Sequence, residues 1–146
     1  MLSRTSQYAL RAMIYLAQHA GDHPIPGPKI AREAQVPSKY LSKVLGDLVR
    51  AGVLTSSPGK TGGFRLVQLA RATSLLDVVS PFEQFSNRPC PFGNIECSDR
   101  NPCVAHDRWK RAVEGVQGFL RRTSVQEVSA RAVRSGKKVR SPRGSR

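Results

Sequence analysis

Residues 28–67 constrain the fold more than any other segment, because two helical patterns meet at a proline and a glycine-rich stretch follows. Pro28 suits the first position of a helix in PKIAREAQ, and Pro37 then interrupts the chain. Ser38 is expected to cap KYLSKVLGDLVRA, whose apolar residues recur at helical spacing up to Gly52. VLTSSPGKTGGFRLV then predicts two short strands around a turn. Helix, break, helix and hairpin is the order of a winged helix-turn-helix.

The flanking segments predict further helices. Ser3 or Thr5 can cap a first helix that runs to about Ala20. Ser74 and Asp77 have the spacing of a capping box at the start of SLLDVV. The predicted fold is therefore mainly α, with a small β-hairpin wing.

A long helix is expected near the C-terminus, with Asn101 as its cap, Pro102 as its first residue and its end near Leu120. TSVQEVSARA predicts a short terminal helix. The apolar residues of the long helix repeat every four and three positions, so they form one apolar stripe, the seam, along the helix. Such a seam requires a partner helix. They are Ala105, Trp109, Ala112, Val116 and Phe119.

The charge of the chain indicates a polyanionic partner. Lys and Arg number 24 against 10 Asp and Glu, a formal net charge of +14. The predicted disordered tail, residues 131–146, holds seven of these basic side chains, so +7 remains on the rest. Double-stranded DNA is the first candidate and an acidic membrane surface the second. No apolar run approaches the length of a membrane span, and the expected partner is DNA and not a membrane.

The expected DNA contacts lie on the solvent face of the third helix and in the hairpin, where polar and basic side chains can reach phosphates and base edges. The alternative is a solvated helix face beside glycines that merely form a turn. The candidate residues are Ser38, Lys39, Tyr40, Ser42, Lys43, Lys60, Thr61, Gly62, Gly63 and Arg65.

All three cysteines and one of the three histidines fall within CPFGNIECSDRNPCVAH, residues 90–106. The odd count does not suit a disulfide framework, and a reducing cytoplasm is expected. Zinc, an iron–sulfur cluster and redox-active thiols all remain compatible with the spacing. If Asn101 caps the long helix, Cys103 lies in its first turn, where a thiolate is favoured. His106 would then share its face and address the same metal centre.

An enzyme is not expected, because no nucleophile–base set or phosphate-binding loop is present. An electron carrier would need no DNA-reading half and normally has four cysteine ligands.

Four segments together resemble the Rrf-two-type family of winged-helix transcription regulators, over roughly residues 2–130. They are TSQYALRAMIYLA, KIAREAQVPSKYLSKVLGDLVRAGVL, GKTGGFRLV and SLLDVV. The three cysteines resemble its iron–sulfur branch, which includes IscR-, NsrR- and RirA-like regulators. The resemblance implies a dimer joined through the long C-terminal helix. One departure is Pro58, where family members commonly carry an arginine that contacts DNA.

The resemblance also implies the ligands. A histidine three residues after the last cysteine marks the IscR-like type and implies a 2Fe–2S cluster held by Cys90, Cys97, Cys103 and His106. The NsrR-like type uses an acidic residue of the partner subunit, and Gln7 stands in that place here. The gap of six residues after the first cysteine leaves a 4Fe–4S cluster possible.

These expectations divide the chain into a winged helix-turn-helix domain (1–86), a cluster-binding loop (87–104), a dimerisation helix region (102–130) and the tail (131–146). The expected function is a homodimeric, cytoplasmic regulator, a repressor, controlled by a cluster that senses redox state, nitric oxide or iron and cluster supply. The alternative is a cluster-free or zinc-bound regulator that responds through cysteine oxidation.

Overall fold

The computed structural model describes residues 2–85 and 89–134. Helices form the core and a two-stranded antiparallel hairpin lies beside them, which confirms the predicted mainly α fold with a wing. In chain order the elements are α1 (Arg4–Gln18), α2 (Gly27–Glu33), α3 (Ser38–Arg50), β1 (Leu54–Ser57), β2 (Gly63–Leu66), α4 (Leu75–Val79), α5 (His106–Arg122) and α6 (Val125–Arg134).

Two of the predicted helix starts are confirmed by their hydrogen bonds. The Ser3 hydroxyl accepts from the Ser6 backbone N–H at 3.1 Å and caps α1. At α4 the capping box is complete, because Ser74 and Asp77 each accept a hydrogen bond from the other's backbone N–H. Such caps each contribute about 1 kcal/mol to helix stability.

The start of α3 differs from the prediction by one residue. Pro37, with φ −57° and ψ 128°, occupies the cap position, and Ser38 is the first helical residue. A cap residue has non-helical backbone angles, which Pro37 has, whereas Ser38 is already part of the helix. The same turn contains Gln35 at φ 54°, whose carbonyl accepts a hydrogen bond from the buried guanidinium of Arg11 in α1.

The hydrophobic core joins α1, α2, α3 and α4 and is closed by Leu120 of α5 and Val125 of α6. Met13, Ile30 and Leu48 are completely buried within it. Among the described residues, neither the buried core nor the partly buried apolar side chains packed on it include any position between 86 and 115. The cysteine-bearing segment therefore lies outside the core.

The wing, which comprises β1, β2 and the turn between them, is attached to the connection between α1 and α2. Ile25 forms an antiparallel bridge with Phe64, with N···O distances of 3.0 and 2.9 Å. This bridge brings the Ile25 carbonyl oxygen to within 2.3 Å of where a Cβ on Gly63 would lie, and a Cβ on Gly62 would lie 2.1 Å from the Ser57 oxygen. Gly62 is required by close packing within the wing, and Gly63 by close packing of the wing against the connection between α1 and α2.

Gly63→Ala is expected to lower the free energy of unfolding by about 1–3 kcal/mol, because alanine is strained at a positive φ and here also collides with backbone. The φ of Gly63 is 152°. Urea denaturation followed by circular dichroism measures the loss. Gly21→Ala is the control, since its Cβ would meet no atom within 4 Å. Equal stability of the two variants would contradict the packing role of Gly63.

The C-terminal half departs from the prediction in two places. The long helix α5 begins at His106 with Ala105 as its cap, so Cys103 precedes the helix and does not lie in its first turn. The Asn101 carbonyl instead accepts from the Asn94 side chain at 2.7 Å, and the His106 N–H closes a turn onto the Cys103 oxygen. These loop contacts replace the expected cap.

The terminal helix α6 is longer than expected. It continues to Arg134, so the first four residues assigned to the disordered tail are helical. The side chain and backbone of Ser124 pair with the Glu127 carboxylate at its start, which stabilises the helix. The rest of the predicted tail, residues 135–146, lies outside the described residues.

Candidate DNA-reading surface and cysteine site

The outer face of α3 presents all five predicted DNA-contacting residues to solvent. The opposite face is buried in the core through Leu41, Val44, Leu45 and Leu48. The large aromatic ring of Tyr40 lies on the solvent side and is 59% exposed. The exposed residues are Ser38, Lys39, Tyr40, Ser42 and Lys43.

The predicted wing residues divide into two groups. Lys60 and Thr61 are exposed at the tip of the hairpin. Gly62 and Gly63 are occupied by close contacts within the protein, as described above. The Arg65 guanidinium donates to the Asp22 carbonyl at 3.0 Å, which directs this side chain toward the connection between α1 and α2.

The cysteine loop, residues 89–105, contains no helix or strand and brings the predicted ligands together as two pairs. The first pair is Cys90 and Cys103, which interact, since the Cys103 thiol lowers the pKa of Cys90. The second is Cys97 and His106, with 3.6 Å between Sγ and Nδ1. Cys90 and His106 are nearly buried, at 7% and 6% exposure, and the other two are half-buried.

The three thiols differ in their electrostatic environments. Desolvation raises the pKa of Cys97, and the negative charges of Cys90, Cys103 and Asp99 raise it further. Desolvation acts in the same direction on Cys90, but backbone N–H groups of residues 92–94 and the Cys103 thiol outweigh it and lower the pKa of Cys90. The loop backbone therefore favours a thiolate at Cys90 without a helix N-terminus.

Two residues at this site were not predicted from the sequence. Asp99 accepts from the His106 ring, with 2.8 Å between Oδ1 and Nε2. The Lys110 ammonium contacts both Asp99 oxygens at 2.9 Å. Lys110 and then His106 lower the pKa of Asp99, and the carboxylate in turn raises the pKa of Lys110. An acidic residue two positions after a candidate cysteine ligand was the available signal, because ligating histidines commonly pair with carboxylates.

The loop is attached to α5 by an aromatic contact. The rings of Phe92 and Trp109 meet edge to face, with 5.9 Å between their centroids. Such pairs contribute about 0.5–1.5 kcal/mol beyond area burial. This contact holds the start of the loop against the helix that carries His106.

The donor set, three thiols and one imidazole, consists of ligand types that iron–sulfur clusters accept. Within residues 2–85 and 89–134, no three His, Cys, Asp or Glu side chains are grouped so that they could hold one metal ion. A two-iron cluster takes two protein ligands at each iron, with thiolate and imidazole both accepted. The four residues present two such pairs.

The predicted apolar seam of α5 is only partly exposed. Phe119 is 54% exposed and Ala112 is exposed, Trp109 is half-buried, and the half-buried Val116 packs against the core. No described helix combines the length and apolar character needed to cross a bilayer.

A helix-turn-helix with an exposed basic face, a wing and an appended cysteine loop defines a winged-helix DNA-binding transcription regulator. The family model described as "Rrf2: Iron-dependent Transcriptional regulator" matches residues 2–131. The chain belongs to this family, which confirms the predicted resemblance, and it is a transcription regulator and not an enzyme.

Individual relatives agree with this membership. The chain is 27% identical to IscR of Photobacterium profundum over 139 residues, 89% of this chain and 81% of the relative. CymR, titled the global cysteine regulator of B. subtilis, shares the fold with a TM-score of 0.73 and 24% identity over 90% of this chain and 97% of that one. IscR of T. potens gives a TM-score of 0.70 and 22% identity over 99% and 93%.

Proposed function

We propose that this chain is a homodimeric transcription regulator, a repressor, whose operator binding is controlled by a 2Fe–2S cluster held by Cys90, Cys97, Cys103 and His106. The observation that carries the proposal is the pairing of the four ligands, Cys90 with Cys103 and Cys97 with His106. The relatives named IscR support it. When bound, the cluster supplies a one-electron redox centre that also reacts with oxygen and nitric oxide.

The reading head engages DNA through α3 and the wing tip. In a winged helix-turn-helix the second helix of the motif enters the major groove. Lys39 and Lys43 are exposed cations suited to phosphates, and the hydroxyls of Ser38, Tyr40 and Ser42 can reach base edges or phosphates. Lys60 and Thr61 extend the contact to the backbone beside the groove. Arg65 is exposed and donates through one terminal nitrogen to the Asp22 carbonyl, which leaves its other N–H groups for phosphates.

Two copies of the chain pair through the apolar seam of α5. Its residues repeat every four and three positions, the spacing of helices that pack side by side. Phe119 is 54% exposed in the single chain and gains burial when a partner helix covers it. Pairing places two reading heads on successive major grooves, about 34–36 Å apart.

Glu83 lies six residues before the cysteine loop and contacts the N-terminus of α1. Its Oε1 accepts from the Ser3 backbone N–H and the Ser6 hydroxyl, both at 2.6 Å. The cluster ligands hold the loop segment that leads directly into α5. Loss of the cluster releases this segment and alters the spacing of the heads, and a coupling of about 1–3 kcal/mol suffices to change operator occupancy.

Cysteine oxidation without a cluster is the second candidate. The interaction of Cys90 and Cys103 favours it, because the Cys103 thiol lowers the pKa of Cys90 and so promotes the reactive thiolate. A peroxide would accept two electrons and two protons as their S–S bond forms. The structural likeness to CymR is compatible with this candidate but extends to the fold alone.

Anaerobic purification followed by native mass spectrometry separates the two candidates. The proposal predicts a dimer that carries two irons and two sulfides per chain and loses them in air. A mass gain of four irons and four sulfides would correct the cluster type. A zinc increment, or a loss of two hydrogens on oxidation without any iron, would contradict the cluster.

A further inference from the structure

We infer that Asp99 is a positioning residue that selects the tautomer of His106 and turns its Nδ1 toward the cysteines, while Lys110 holds Asp99 in place. As a statement about a cluster ligand, the inference rests on the proposed function. The tautomer itself is a property of the protein without a cluster and can be tested separately.

The hydrogen bonds around the imidazole determine which nitrogen carries the proton. An ionised carboxylate only accepts hydrogen bonds, so the ring nitrogen that faces Asp99 must donate. That nitrogen is Nε2, at 2.8 Å from Oδ1. In a neutral ring the other nitrogen, Nδ1, is then an acceptor with its lone pair free. It faces Cys97 Sγ at 3.6 Å, and this lone pair is the one available to iron.

Lys110 is needed because Asp99 is exposed to solvent. The Asp99 side chain is 72% exposed, whereas the His106 side chain is only 7% exposed. An exposed carboxylate can rotate freely unless a second group fixes it. Lys110 contacts both of its oxygens at 2.9 Å. It lies four residues after His106, so α5 places both on the same face.

This arrangement has a specific consequence for the site. A carboxylate that accepts from the distal ring nitrogen fixes the orientation of a ligating histidine and raises its basicity. The chain supplies this carboxylate from the loop between two cysteine ligands and its anchor from α5. The loop and the helix are thereby connected at the histidine.

The first test uses the apoprotein with ¹⁵N-labelled histidine and two-bond ¹H–¹⁵N NMR at neutral pH. In the neutral ring of the wild-type His106, the proton is expected on Nε2. Asp99→Ala should give a mixture of tautomers, and Asp99→Asn should retain the Nε2–H form because its amide oxygen still accepts. A proton on Nδ1 in the wild type, or an unchanged tautomer in Asp99→Ala, would overturn the inference.

The second test measures the lifetime of the reconstituted cluster in air. Removal of an outer partner of a ligand typically costs about 10–100-fold in metal affinity, so Asp99→Ala should shorten the lifetime about tenfold, toward the value for His106→Ala. Asp99→Asn should fall between Asp99→Ala and the wild type. Glu96→Ala is the matched control, since it removes an exposed carboxylate three residues away. Equal lifetimes for Asp99→Ala and Glu96→Ala would overturn the role of Asp99 at the cluster.

The two tests distinguish a failure of the proposed function from a failure of the inference about Asp99. If the wild type takes up no cluster, the proposed function is wrong, and the NMR result alone decides whether Asp99 selects the tautomer. If the cluster forms but the tautomer does not respond to Asp99→Ala, the proposed function stands and the inference is wrong. Unchanged thermal unfolding of the Asp99 variants is required for either lifetime to be interpreted as an effect on the site.

Discussion

Cys97→Ala is expected to abolish the visible absorbance of the cluster while the apoprotein remains folded. Cys97 is half-buried in the loop and lies 3.6 Å from the His106 ring, so its loss removes one member of a ligand pair. The apolar core includes no residue between 86 and 115 in the described chain. The free energy of unfolding should therefore change by less than about 1 kcal/mol, as is usual away from the core.

Anaerobic absorbance spectra and urea denaturation of the apoprotein measure the two halves of this prediction. Glu96→Ala is the control, because it changes the adjacent exposed residue and leaves the thiols in place. A Cys97→Ala protein that keeps the wild-type spectrum would remove Cys97 from the ligand set. A variant that fails to fold would show that the loop contributes to the stability of the domain.

A charge reversal of the α3 surface, Lys39→Glu with Lys43→Glu, should weaken operator binding by about two orders of magnitude or more, because attraction to phosphates becomes repulsion. Both lysines are exposed and belong to no described core contact, so folding is unaffected. The corresponding single alanine variants should each lower the salt dependence, the slope of log K against log salt, by about one.

Fluorescence anisotropy with the operator duplex at several salt concentrations measures these effects. Arg131→Ala on α6 is the matched control, because it removes an exposed cation outside α3 and the wing. If Arg131→Ala and Lys39→Ala reduce affinity equally and with the same slope, binding depends on net charge and not on the α3 surface. Undiminished binding by the double variant would exclude α3 as the reading helix.

The DNA-reading half could be predicted from the sequence because its determinants are local. Helical spacing from Leu41 to Leu48, the break at Pro37 and the capping box at Ser74 act within a few residues of one another. The hairpin was likewise predicted from its glycines. Their role in the protein, close packing of Gly63 against Ile25, depends on a contact distant in sequence and could not be derived from the pattern.

The cysteine site could be predicted only in part. The four candidate ligands are recognisable by residue type, and the structure brings them together in pairs. The predicted start of α5 was wrong. The backbone carbonyl of Asn101 accepts a hydrogen bond from the Asn94 side chain within the loop, and Asn101 does not cap the helix. The contacts of Asp99 with His106 and Lys110 span seven and eleven residues through irregular chain, where no periodicity applies.

The position of the cysteine loop outside the core has a consequence for the evolution of the family. A segment that the apolar core does not include can lose, gain or respace its ligands at little cost to the fold. Selection can then alter what such a regulator senses without altering the part that reads DNA. The solved structures of T. potens IscR and of CymR, the global cysteine regulator of B. subtilis, share this fold. The spacing of six residues between Cys90 and Cys97 is a property of the loop that can vary without affecting the core.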